Sequence, residues 1–335
     1  MDAQLVVRIE RGPLTESVHR GHIAVVDAQG GLLAQAGDPR AVIFARSAAK
    51  PLQAVPVIAA GAADRFGWSV RHIALLCASH NGEQAHVEAV AAALSKLGLQ
   101  PDTLTCGAHY PLYEAEADRM KRAGELPTRL HNNCSGKHTG MLALAQLLDV
   151  STDGYASAGH PVQRAMLASV AELAGIEAER IVLGTDGCGV PVFGLPLDRL
   201  AYAFTAFGGA ASRLDQPAAD ACEAVLRAMR AEPFYIAGTD RFDTRLIEAT
   251  GGRLVGKMGA EGVFALTAPG EGAALAVKIA DGAQRALYAA VMEALVQLGW
   301  LSADEQAELR AFHRPPVRNW SGDEVGAVVP DFQLR

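Results

Sequence analysis

The run Arg46-Ser47-Ala48-Ala49-Lys50-Pro51 sets a hydroxyl and an amine three residues apart. On a helical or 3₁₀ turn, residues at that spacing share a face. A serine hydroxyl is a weak nucleophile until a base takes its proton, and a lysine serves as that base only when neutral. Pro51 disfavours helical geometry at residue 50 but suits the first turn of a helix. A helix is therefore expected from about Pro51, with residues 47–50 as the turn leading into it. The spacing alone says little, because composition yields roughly one such pair in a chain of this size. Serine is also a common helix cap.

Two further groups carry chemistry. Cys77-Ala78-Ser79-His80-Asn81-Gly82-Glu83 follows an apolar segment, residues 73–77, that reads as a short strand with Cys77 in its core. Polar side chains at a strand end are well placed to face a pocket. Backbone amides at the start of the following helix could hold a carboxylate or an oxyanion, although Ser79 or Asn81 could equally be a plain cap. Lys257 lies in Val255-Gly256-Lys257-Met258-Gly259, a glycine-flanked late strand that a ligand or backbone can approach closely; a solvent-facing lysine fits the same pattern. The third group pairs Asn132-Asn133-Cys134-Ser135-Gly136-Lys137-His138 with Gly184-Thr185-Asp186-Gly187-Cys188. Cysteines in polar, glycine-rich loops are unlike inert core cysteines. Thiolates are good zinc ligands, to which Lys137, His138 or Asp186 could add. Two cysteines about fifty residues apart are a weaker sign than paired Cys-x-x-Cys motifs. Cys106 and Cys222 read as structural.

The elements that must position these groups come from 335 residues, half of them apolar, which is ample for a core. A net charge of −7 argues against a nucleic-acid footprint, and no stretch is long and apolar enough to suggest a membrane span. The five dispersed cysteines and the lack of a basic-then-apolar leader make a cytoplasmic protein the expectation. Strands are expected at residues 5–9, 22–27, 32–36 and 41–45, the second and third forming a hairpin across Ala28-Gln29-Gly30-Gly31. Strands return at 254–258, 263–267 and 275–279. Helices are expected at 52–60, 83–97, 140–148, 161–173, 218–229 and 282–298, and residues 181–183 form an isolated apolar run. The pattern is α/β of the α+β type, with a sheet built from N- and C-terminal strands and a mostly helical region between. Residues 1–110 with 235–335 would form the sheet domain and 111–234 the helical region. The last twenty or so residues carry no readable pattern.

Together, residues 44–51, 77–83, 132–140, 184–191 and 256–262 resemble, in the same order, the active-site segments of the Rhizobium etli-type L-asparaginases, the third structural class of asparaginase. The resemblance covers nearly the whole chain. It implies a serine β-lactamase/glutaminase-like fold, a homodimer, and hydrolysis of L-asparagine through an acyl-enzyme. It also implies two Ser/Lys pairs, Ser47 with Lys50 and Ser79 with Lys257, and a Zn²⁺ ion held by Cys134, Lys137 and Cys188. Substrate contacts would fall on Arg46, His80, Asn81, His138, Asp186 and Gly187. A serine-dependent glutaminase or another β-lactamase-like amidohydrolase is the neighbouring reading, because one methylene is discriminated only ~10- to 200-fold by binding. A non-catalytic zinc- or amino-acid-binding protein would use the same pocket without turnover.

Overall fold

Strands from both ends of the chain build one antiparallel sheet. In the computed structural model, which describes residues 3–209 and 213–335, eleven strands are found. They are β1 Gln4–Arg11, β2 Leu14–Asp27, β3 Leu32–Ala36, β4 Val42–Phe44, β5 Val182–Thr185, β6 Pro191–Pro196, β7 Val255–Gly259, β8 Val263–Ala268, β9 Ala273–Ile279, β10 Pro316–Arg318 and β11 Glu324–Pro330. The main sheet runs β10-β11-β1-β2-β9-β8-β7, with β3 also paired to β2. The 14-residue β2 reads as two halves. Its mostly exposed first half pairs with β1, while residues 23–26 are buried and lie between β9 and β3. Every residue of β8 is buried, so both faces of the sheet are covered there. Helices Leu197–Thr205 and Gln284–Gln297 supply that cover: the first packs on β2, β8 and β9, the second mainly on β1, β9 and β11.

The described chain divides into two compact units. The sheet unit takes residues 3–48, 195–209 and 245–335, and the helical unit takes 49–194 and 213–244. Residues 49–110 thus group with the helices. The helical unit packs Lys50–Ala59, Val70–Leu76, Gln84–Lys96, Ser135–Leu147, Pro161–Ala174 and Gln216–Ala231, with β5 and the first residues of β6 as an antiparallel hairpin. Helix Ser135–Leu147 is buried from Ser135 to Ala145 on all sides, as a helix must be when others surround it.

The expected α+β architecture is observed, and the hairpin of β2 with β3 is among its strand pairs. One local expectation is corrected. Residues 73–77 are no strand: they end the helix Val70–Leu76, with Cys77 as its C-cap, because a short apolar run does not distinguish a strand from a buried helix. The tail unread in the sequence supplies β10 and β11, which extend the sheet beyond β1. No helix of the described residues is long and apolar enough to cross a membrane.

Candidate active site

In the sheet unit, Ser47 sits on a 3₁₀ turn, Arg46–Ala49, that runs directly into the helix starting at Lys50. Pro51 occupies the first turn of that helix, where its missing N–H costs nothing. Arg46 opens the turn with φ of 49°, a left-handed conformation uncommon for a side chain of that size. Its guanidinium lies 4.0 Å from the Glu261 carboxylate. The turn packs against β7. A Cβ on Gly259 would fall 2.6 Å from the Ala45 carbonyl oxygen and 3.2 Å from the Ala48 nitrogen, so only glycine admits this approach. Lys257, two residues earlier on β7, lies on the same face as Gly259. Lys257 is fully buried, and its Nζ donates to the Met258 carbonyl at 2.7 Å.

In the helical unit, Lys50 is also fully buried. A buried amine needs partners for its protons, and Nζ reaches three oxygens: the Ala78 carbonyl at 2.5 Å, Ser79 Oγ at 3.0 Å and the Asn133 carbonyl at 3.3 Å. As an ammonium, Lys50 donates to all three. As a neutral amine it keeps two N–H bonds for the carbonyls and turns its lone pair to the Ser79 hydroxyl. The arrangement therefore accommodates both ends of a proton transfer. The structure brings Lys50 to Ser79, the serine that the resemblance assigns to Lys257.

Ser79, His80 and Asn81 are all buried between two helices. His80 Nδ1 accepts the Gly82 N–H at 3.1 Å, so Nε2 carries the proton and donates to Ser135 Oγ at 2.9 Å; Ser135 in turn donates to the Leu130 carbonyl. Burial, with His86 beside it, holds the imidazole well below its ordinary pKa and hence neutral. Asn81 Nδ2 donates to Glu83 and to the Thr239 carbonyl, and its Oδ1 accepts from Arg241. Both ring nitrogens of His80 and both amide hydrogens of Asn81 are thus engaged within the protein.

His138 is different. The Thr105 N–H donates to Tyr155 Oη at 3.0 Å, and His138 Nδ1 lies 2.7 Å from the same oxygen, placed to accept the Tyr155 proton. With that bond made, the His138 proton sits on Nε2, a fully buried atom with no hydrogen-bond partner among the described residues. Burial first, and the Lys137 charge second, keep this imidazole neutral. His138 offers a spare hydrogen-bond donor.

Beside it, Cys134 caps the N-terminus of helix Ser135–Leu147 and Lys137 lies in the first turn. Lys137 Nζ is 3.1 Å from Cys188 Sγ and 3.9 Å from the Asp186 carboxylate. Cys188 follows Asp186 in the hairpin turn between β5 and β6, and its Sγ is 3.8 Å from Asp186 Oδ2. The hydrogen bond from Cys188 pulls the Cys134 thiol well below its ordinary pKa, and the same bond pushes Cys188 up. Burial works against the Lys137 charge, yet Cys134, Cys188 and Asp186 together hold its pKa above the ordinary value. Gly187, at the tip of this turn, is exposed and faces open space.

Two sulfurs and one amine converge here, with Asp186 adjacent; in chemistry and number this donor set suits a zinc ion with one exchangeable position, once the amine is neutral. No group of three or more His, Cys, Asp or Glu side chains suited to a metal occurs among the described residues. All five cysteines are buried, and no disulfide joins any of them among the described residues. Burial raises Cys106 and Cys222 to about 12, in keeping with inert thiols. Sequence reasoning missed Glu83, Thr105, Tyr155, Thr239 and Arg241, whose partners lie far away in the chain.

The helical unit thus carries a buried Ser/Lys contact, and the sheet unit a Ser-bearing turn packed on the Lys257 face of β7. A model of the L-asparaginase II family matches residues 7–330, and the chain belongs to that family. It is accordingly an amidohydrolase of the asparaginase type acting on a small molecule. A beta-lactamase of solved structure, from Mycobacterium bovis, is similar at 16% identity and a TM-score of 0.43, over 88% of this chain and 95% of its own. Among curated proteins none matches the chain.

Proposed function

We propose that the enzyme hydrolyses L-asparagine to L-aspartate and ammonia through an acyl-enzyme formed on Ser47. The observation that supports this reading is the buried Lys50 amine, which follows Ser47 by three residues and donates to Ser79 Oγ. Ser47 attacks the side-chain amide carbon while its proton passes to Lys50. Ser79, bonded to the same amine, relays a proton to the departing nitrogen, and Lys257 supports that transfer from β7. Ammonia leaves, and water then cleaves the β-aspartyl ester, restoring the serine. Arg46, His138, Asp186 and Gly187 are the substrate contacts in this reading. The spare His138 Nε2–H supports it, since a carboxylate or carbonyl oxygen is the partner such a donor takes.

Zinc is the metal that Cys134, Lys137 and Cys188 would hold, and when bound it would supply a fixed positive centre that orients substrate. Removing metal with a chelator should therefore raise KM more than it lowers kcat. A homodimer in the cytoplasm is the proposed working form, which light scattering of the purified enzyme tests. The reaction itself is tested by ammonia release from asparagine and glutamine side by side. Ser47→Ala should lower turnover by ~10⁴-fold or more. Equal rates on glutamine would favour a glutaminase, and asparagine binding without turnover would favour a sensor.

A further inference from the structure

Ser79 meets Lys50 because a segment 157 residues further on holds its backbone. The Ser79 N–H donates to the Ile236 carbonyl at 2.9 Å, and the Asn81 N–H to the Ala237 carbonyl at 2.7 Å. These two rungs join residues 79–81 to residues 236–237. Glu83 braces them from the side. Its Oε1 accepts the Thr239 N–H at 2.9 Å and Asn81 Nδ2–H at 3.2 Å, and its Oε2 accepts the Thr239 hydroxyl at 2.6 Å. Thr239 returns a bond through its own carbonyl, which accepts from Asn81 Nδ2 at 3.0 Å.

Two features mark this brace as more than a local cap. Glu83 stands at the N-cap of helix Gln84–Lys96, where an acceptor side chain ordinarily serves its own helix, yet it makes no such bond. Its carboxylate is spent across the chain on Thr239 instead. Gly238 makes the approach possible: its φ is 115°, and a Cβ there would fall 2.4 Å from Glu83 Oε1 and 2.7 Å from Asn81 Nδ2.

We propose that Glu83 and Thr239 are positioning residues for the reaction, a clamp that fixes the Ser79 backbone so that its hydroxyl stays in register with the Lys50 amine. The proposal rests on the reading of Ser79 and Lys50 as proton-transfer partners. Misplacing a proton relay costs rate before it costs substrate affinity, and a shift of about 1 Å can cost on the order of 10²-fold.

The test compares Thr239→Val with Thr239→Ser in the full-length enzyme, by steady-state kinetics on asparagine and by amide hydrogen exchange. In Thr239→Val, kcat should fall by ~10- to 100-fold with little change in KM, and exchange at Ser79 and Asn81 should quicken. Thr239→Ser, which keeps the hydroxyl, should restore both. Unchanged exchange in Thr239→Val would overturn the clamp, as would a lost kcat that Thr239→Ser fails to restore. Should Thr239→Val fail to fold, Glu83→Asp, whose shorter carboxylate cannot span to Thr239, is read by the same two measurements. Wild-type enzyme that releases no ammonia would sink the functional reading separately, and the exchange data would still decide whether the clamp holds the loop.

Discussion

Two clusters of the helical unit are equally buried but differently completed. Around Lys50 and Ser79, the polar groups close on one another: the amine has three oxygens, His80 has a partner for each ring nitrogen, and Asn81 spends both amide hydrogens inside the protein. Around Lys137 and His138, valence is left over. His138 Nε2 is buried with no hydrogen-bond partner among the described residues, and two thiols lie together beside a lysine. A closed network costs least when nothing enters it, whereas a buried unpaired donor is destabilising unless a ligand completes it. In the proposed reading the first cluster holds atoms in place and the second receives a ligand. Kinetics should separate them, the first through kcat and the second through KM.

The sharpest break is Lys50→Met, which keeps the length of the side chain and removes the amine. Ammonia release from asparagine should drop by about 10²- to 10⁴-fold in kcat. A variant that kept most of its turnover would end the assignment of Lys50 as the proton acceptor. A smaller and opposite signature is expected from Tyr155→Phe. Loss of that hydroxyl frees His138 to move its proton to Nδ1, so KM should rise roughly tenfold, the worth of one hydrogen bond at about 1.4 kcal/mol, while kcat holds. A fall confined to kcat would place His138 with the first cluster and erase the contrast.

The smallest effect concerns acid stability. His80 and His86 have folded pKa values below the ordinary 6.5, chiefly through burial. The unfolded chain therefore binds more protons than the native one once pH drops beneath that value. Their contribution is fully present above pH 6.5 and is lost progressively as the pH falls below it. Melting temperature should be flat from pH 8 to 7 and decline below 6.5, and His86→Leu should make the decline shallower. A melting temperature that rose on acidification would contradict the buried, neutral state of both rings.

Much of this was legible in residue order. The Ser47 turn leading into a helix followed from Pro51, and the late strands followed from short segments separated by glycine-rich turns. The polar runs at 77–83, 132–138 and 184–188 announced themselves by composition. What stayed hidden depends on distance in the chain. Residues 73–76 form a helix because neighbouring helices bury them, which no five-residue pattern can report. The first half of β2 is mostly exposed and lacks alternation, and β10 and β11 owe their strand character to pairing that starts at β1. Glu83 with Thr239, and His138 with Tyr155 and Thr105, join residues whose spacing along the chain carries no signal.

The sheet's connectivity also bears on how the protein is made. Strand β2 pairs with β3 on one edge of its buried half and with β9 on the other, so that second edge waits for residues 273–279 to leave the ribosome. At ~5–20 residues per second that interval is roughly 10 to 50 s. β1 waits longer still, until β11 arrives beside it. Nearly all of the helical unit is synthesised inside that interval. The nascent chain thus carries a β1-β2-β3 meander with open edges through most of its synthesis, and those edges are where a chaperone, or a misfolded neighbour, has the most time to act.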